Sequence, residues 1–143
     1  MRDLAHQLPL RLATGAFVLN SGLTKRGADD AAAKGVHGFA STAYPFLGEM
    51  DPKKFTRLLS TAEIAVGAVL LFPLIPEGVA GLALTGFSAG LVGLYLRTPG
   101  MRLDGSLRPT EQGVPLAKDT WLLGIGLSLL VDDAVRMFDR WRG

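Results

Sequence analysis

The chain has 143 residues, 48% of them apolar and 20% charged, with a net charge of +2 and a mean hydropathy of +0.29. That length suits one unit, residues 1–143, and the lack of cysteine excludes disulfides, zinc thiolates, iron–sulfur ligation and thiol redox chemistry. The small positive balance, with no basic stripe and no interleaved aromatic residues, excludes nucleic acid as the expected partner.

The charges gather between long apolar blocks, and most of the 18 glycines fall inside those blocks. In water such glycines weaken helices, whereas in lipid they let helix backbones approach closely. The first block covers about residues 9–24. Pro9 suits the first helical turn, and the block carries Arg11 and Asn20 before ending at Thr24-Lys25-Arg26. With that ending in place of a small-residue cleavage site, the block reads as a span and not as a secretory signal. A long connection follows, from Arg26 to Lys54. Residues 29–39 in it suit a short amphipathic helix, and Ala43-Tyr44-Pro45-Phe46-Leu47 suits the membrane interface.

The second block, about 55–74, carries Arg57 near its start, where it can snorkel, and Glu63 one to two turns deeper. Pro73 and Pro76 then mark a tight turn, which predicts an antiparallel hairpin with the third block. That block, about 78–96, holds no charged residue and ends at Arg97-Thr98-Pro99-Gly100. Its 19 residues would make a helix of roughly 28 Å, close to the thickness of the hydrocarbon layer. Residues 98–116, rich in Pro and Gly, read as a loop without a helix. The fourth block, about 117–133, opens with Lys118-Asp119 and ends at Asp132-Asp133. In the tail 134–142, Val135, Met137, Phe138 and Trp141 are mixed with Arg136, Asp139, Arg140 and Arg142, a pattern for the headgroup layer.

These blocks predict an all-α fold, a four-helix transmembrane bundle with an amphipathic C-terminal tail. The competing reading is a soluble bundle with unusually apolar helices. Against it, the third block has no polar face to offer water, and the chain is too small to bury such a helix. The basic residues favour the first and third connections as cytoplasmic, while the basic tail pulls the other way.

Ionisable residues at membrane depth are costly and mark sites by default. Arg11, Lys25, Glu63, Lys118 and Asp119 form the candidate intramembrane polar site, with no metal and no catalytic residue expected. Arg11, Gly15, Gly22 and Lys25 share one helix side, and Glu63 shares a face with Gly67. Glu63 therefore expects a cation from among Arg11, Lys25 and Lys118, since a carboxylate at that depth needs a partner or a proton. Arg11 and Lys25 could equally snorkel from the ends of their block, and Lys118 and Asp119 could cap the fourth helix. His6 and His37 lie outside the spans and offer no haem site. Gly86-Phe87-Ser88-Ala89-Gly90, continued by Gly93, reads as a helix-packing step.

Taken in order, Arg11-x3-Gly15, Gly22-x2-Lys25, Glu63-x3-Gly67 and Lys118-Asp119 resemble the DoxX family over about residues 8–131. The loop from Asp104 to Thr110 and the long first connection depart from the family's general features. The resemblance implies a four-helix protein of the bacterial inner (plasma) membrane, often linked to redox processes. Some members of that family are similar to the membrane subunit of a thiosulfate:quinone oxidoreductase. The expectation is a membrane-embedded accessory subunit of a redox or quinone-dependent process. Its partners would be the lipid bilayer and other membrane subunits. It would have no covalent or metal-ligated cofactor, and quinone or lipid is the candidate bound molecule. A non-catalytic assembly subunit and a small proton-coupled transporter are the alternatives.

Overall fold

The computed structural model describes residues 5–143, and the described chain is helical with no strand. Helix α1 spans Leu8–Arg26, α2 Asp30–Ala43, α3 Pro52–Leu71 and α4 Glu77–Arg97; a short α5, Val114–Ala117, leads into α6, Asp119–Arg142. Their ends follow local chemistry. The Asp29 side chain accepts the Ala32 N–H at 2.8 Å and opens α2, and Asp51 accepts the Lys54 N–H at 3.0 Å and opens α3. Each thereby satisfies an N–H that the first turn leaves without an intrahelical acceptor. Pro73 follows the end of α3, and Pro76 immediately precedes α4.

Glycine decides which helices pair. A Cβ placed on Gly67 would lie 2.7 Å from the backbone nitrogen of Leu19, and one on Gly22 would lie 2.9 Å from that of Ile64. Helices α1 and α3 are thus in near backbone contact, running antiparallel. Likewise a Cβ on Gly81 would meet the Gly126 carbonyl at 3.0 Å, and one on Gly126 the Thr85 nitrogen at 2.8 Å, which brings α4 and α6 together. The two pairs share one core, built from Val18 of α1, Val66 and Leu70 of α3, Ala80 and Leu84 of α4, and Leu122 and Leu129 of α6.

This pairing corrects the expected α3–α4 hairpin. Residues 72–76 do join those helices through a short turn, but they touch each other much less than each touches its glycine-matched partner. A short link fixes which ends are near, while depth of side-chain relief fixes which faces meet. Two further boundaries differ. The fourth helix does not stop at Asp132-Asp133 but continues unbroken to Arg142, and the third connection, expected without helix, contains α5. The rest of that connection folds on itself through an isolated bridge between Arg102 and Pro109. Gly100 and Gly105 there adopt φ of 82° and 66°, where a Cβ is disfavoured.

The packing glycines expected at Gly86 and Gly90 make no close contact within the chain. A Cβ on either would meet nothing within 4 Å. Gly93 faces the Tyr44 hydroxyl, which donates to the Gly90 carbonyl at 2.7 Å. Gly81 and Gly126 serve the close approach instead, on the opposite side of α4.

Two helices are long and apolar enough to cross a membrane: α4 and the continuous run Val114–Arg142. Only 33% and 17% of their apolar windows are buried within the chain. The core helix of a soluble protein hides most of such a surface. Here Val79, Leu82, Leu127 and Val131 remain exposed, as do Trp121 at 70% and Trp141 at 92%.

Candidate functional site

Near the α1–α2 end, helices α1, α2, α3, α4 and α6 surround a cavity of about 300 Å³. Phe17, Phe39, Leu59, Phe87, Leu91 and Leu122 give it apolar walls, and Ser21, Lys25, Glu63 and Asp119 give it one polar side. The Lys25 ammonium lies 3.0 Å from Glu63 Oε1 and donates to Ser21 Oγ at 2.7 Å; Ser21 Oγ donates to Glu63 Oε1 at 3.3 Å. The Glu63 side chain is only 4% exposed, against 24% for Lys25.

The fold produces this pair from short-range rules. Gly22 and Lys25 are three residues apart, so they share one side of α1. A Cβ on Gly22 would lie 2.9 Å from Glu63 Cβ, so the absent side chain brings α1 onto Glu63 and carries the Lys25 stem across it. Asp119, from the first turn of α6, lies near enough for the charges of both Lys25 and Glu63 to act on it. Among the described residues the ammonium forms an ion pair with Glu63 alone. Glu63 Oε2 is buried and accepts no hydrogen bond. A buried acceptor left without a donor costs free energy, and a hydroxyl, an ammonium group or a proton at that oxygen would remove the deficit.

The other two candidate cations sit elsewhere. Arg11, 2% exposed, is at the far end of α1. Its Nε donates to Leu70 O at 2.9 Å, its Nη1 to Ile75 O at 3.1 Å, and its Nη2 to Val69 O at 3.0 Å and Phe72 O at 2.8 Å. The last carbonyls of a helix have no intrahelical donor and carry partial negative charge. Arg11 satisfies two of them for α3, at Val69 and Leu70, with two more in the turn that follows, and serves no ion pair with Glu63. Lys118 is exposed and does not line the cavity; it sits at the junction of α5 and α6.

A second polar cluster closes the opposite end and was not anticipated. Glu77, buried at the start of α4, lies 3.0 Å from Arg136 Nη1, and His6 Nε2 lies 3.1 Å from Asp132 Oδ2. One ligand atom from each of His6, Glu77 and Asp132 falls within 4.8 Å of the others, a set able to hold a metal ion. The Arg136 guanidinium already supplies positive charge to Glu77, although both Glu77 oxygens, like Glu63 Oε2, are buried without a hydrogen bond. An acid in a first helical turn reads as an ordinary dipole partner, and only Asp132 and Arg136, four residues apart on α6, hinted at a shared inner face. His37 is structural: its Nε2 lies 2.7 Å from Leu47 O and its ring packs edge-on against Phe55.

No family model, curated protein or solved structure matches this chain.

Proposed function

We propose that the chain is a multi-pass protein of a bacterial inner membrane, a four-helix transmembrane bundle similar to the DoxX family. In this reading it serves a redox or quinone-dependent partner as an accessory subunit, without a redox cofactor of its own. The observation that carries the reading is the buried Glu63, paired on one oxygen and orphaned on the other, beside an apolar cavity. Since no family model matches, the weight rests on that site. The residues behind the resemblance support it in one respect. Gly15, Gly22, Lys25, Glu63 and Gly67 all lie at the α1–α3 contact, so one interface accounts for their spacing.

The exposed apolar surfaces of α4 and α6 support insertion, because lipid would cover what the chain leaves bare. With those two helices across the bilayer, α1 and α3 cross beside them and turn their polar residues onto each other. A cavity near 300 Å³ lies at the small end of ligand sites, which run from about 300 to 1,000 Å³. It suits the ring of a quinol with its tail leaving between helices. A bound quinol would supply electrons and protons to the partner. Glu63 Oε2 would accept its hydroxyl, Lys25 would hold the carboxylate charged, and Asp119 would be placed to receive a proton nearer the surface.

Gentle extraction from native membranes tests this, with identification of co-purifying proteins and quinone. Wild-type protein should retain quinone and Glu63→Gln should retain much less. Equal quinone content in both, or none in either, removes the quinone reading. The alternative of a non-catalytic assembly subunit has one observation in its favour, the Gly86–Gly90 step turned away from the rest of the chain. Loss of a co-purifying protein in Gly90→Leu, with quinone content unaffected by Glu63→Gln, would select it.

A further inference from the structure

Where the end of α1 meets the start of α3, a cleft of about 430 Å³ is lined by Arg26, Lys53, Lys54, Arg57, Asp51 and Thr61, with Leu58 at its edge. Four cations face one carboxylate, and that carboxylate is committed to capping the Lys54 N–H at 3.0 Å. Arg26 is held in place by hydroxyls, not by an acid: its Nε donates to Ser60 Oγ at 3.1 Å and its Nη2 to Thr61 Oγ1 at 2.8 Å. Ser60 is itself fixed, donating to the Gly22 carbonyl at 2.8 Å. Lys53 pairs with the exposed Asp30 at 2.7 Å. Arg26, Lys54 and Arg57 form no ion pair among the described residues.

Three uncompensated cations around one cleft, one of them already oriented, is an arrangement that a tetrahedral anion would complete. The space is roomier than a single phosphate needs. Its apolar edge also has a direction. Leu58, 53% exposed, lies four residues beyond Lys54 on the same face of α3, and exposed Leu23 lies three residues before Arg26 on α1. Both leucines lead from the cations toward the apolar middle of their helices. Charge at one end and hydrocarbon at the other match a membrane lipid better than a free ion.

We infer that this cleft binds the phosphodiester headgroup of an anionic phospholipid, with its acyl chains running along Leu58 and Leu23. The site lies apart from the Glu63 cavity and rests on the membrane reading above. Basic pockets of this kind face the cytoplasmic leaflet, where anionic lipid and the charge bias of connecting loops coincide. The ends of α1 and α4, and the start of α3, would then be cytoplasmic, with the described chain's two ends on the other side.

The test has two stages. Full-length protein is first offered to phosphatidylcholine vesicles and assayed for flotation and resistance to alkaline extraction. Protein in detergent is then titrated with phosphatidylglycerol or phosphatidylcholine and bound lipid is counted by native mass spectrometry. Phosphatidylglycerol should bind more tightly. The double variant Lys54→Gln, Arg57→Gln alters two exposed side chains without an ion-pair partner among the described residues, and it should weaken that binding roughly 25-fold, at about a fivefold loss per charge. Removing two charges at the opposite end, by Arg140→Gln and Arg142→Gln, should leave it unchanged. Equal phosphatidylglycerol affinity in the wild type and the Lys54/Arg57 variant overturns the inference. Displacement of the lipid by inorganic phosphate at comparable concentration overturns it in favour of a free-phosphate site. Stable insertion without any preference for phosphatidylglycerol sinks the lipid site alone, whereas failure to insert sinks the membrane reading and the lipid site together.

Discussion

Helix α1 carries an inward-facing cation near each end, Arg11 buried and Lys25 partly so, and α3 treats the two in opposite ways. At one end Arg11 spreads its donors over four carbonyls of residues 69–75 and leaves none of those contacts to a ligand. At the other, Lys25 meets a carboxylate that keeps one oxygen unsatisfied, with Asp119 lining the same cavity. The first arrangement is finished by the fold, and the second leaves one buried acceptor open. Burial and charge alone do not separate the two ends of α1; the count of unmet hydrogen bonds does.

Replacing Arg11 should be the most damaging way to test that contrast. Arg11→Ala strips the end of α3 of all four donors, and a loss of about 4 kcal/mol is expected from removing charge-assisted bonds at a buried site. Arg11→Lys should recover little, because a single ammonium cannot reproduce the guanidinium fork. Thermal unfolding in detergent measures both, and full rescue by lysine would show that charge alone holds this end. The Lys25–Glu63 pair comes next. Lys25→Met should cost about 3 kcal/mol by leaving Glu63 without its cation, and Lys25→Met with Glu63→Leu should cost less than Lys25→Met alone. An additive double mutant would mean that the pair is not coupled.

Glycine substitutions sharpen the same comparison at the level of packing. Gly67→Ala forces a methyl against the Leu19 backbone and should lose about 2 kcal/mol through overpacking. Gly90→Leu should leave the unfolding midpoint nearly unchanged, since a Cβ there meets nothing within 4 Å. A large loss from Gly90→Leu would place the close helix contact on the wrong side of α4. The smallest effect is at the fully exposed Asp30–Lys53 link. Lys53 holds the Asp30 carboxyl below its ordinary value, by hydrogen bond and then by charge, and Asp30 raises Lys53 in the same way. The aspartate's share is present above its ordinary 3.8 and fades as pH falls through the lowered value; the lysine's share is present below its ordinary 10.5 and fades as pH rises through the raised value. Stability of the wild type relative to Asp30→Asn should be flat between those limits, and a slope near neutral pH would implicate another group.

Helix existence was readable from the apolar blocks, because charges and prolines bound them sharply. The first and third blocks each fall within a longer observed helix; residues 72–74 of the second lie in the turn, and residues 117–118 of the fourth precede α6. Partner choice was less readable. Glu63 pointed to a cation, but Arg11, Lys25 and Lys118 were equal on spacing alone, since one-dimensional depth does not say which helix ends lie together. Contact between Gly22 and Glu63 removes that ambiguity, and no local pattern reveals it. The Gly86–Gly90 motif meets no helix of this chain, and the reason it gave no sign of this is related: spacing shows that a helix has a smooth face, not which neighbour the face meets. Glu77 and Arg136 stayed hidden because each, read alone, is an ordinary residue near a helix end.

The chain's two tryptophans, Trp121 and Trp141, are both on α6 and both point away from the core. Twenty residues apart, they are separated by roughly 30 Å along the axis. Intrinsic fluorescence from this protein is therefore an optical record of one helix's surroundings and is nearly blind to the packing of the other three long helices. Unfolding followed by emission would report when α6 changes its environment, while circular dichroism would report the rest. A gap between the two curves would time the parting of the α4–α6 pair from the α1–α3 pair.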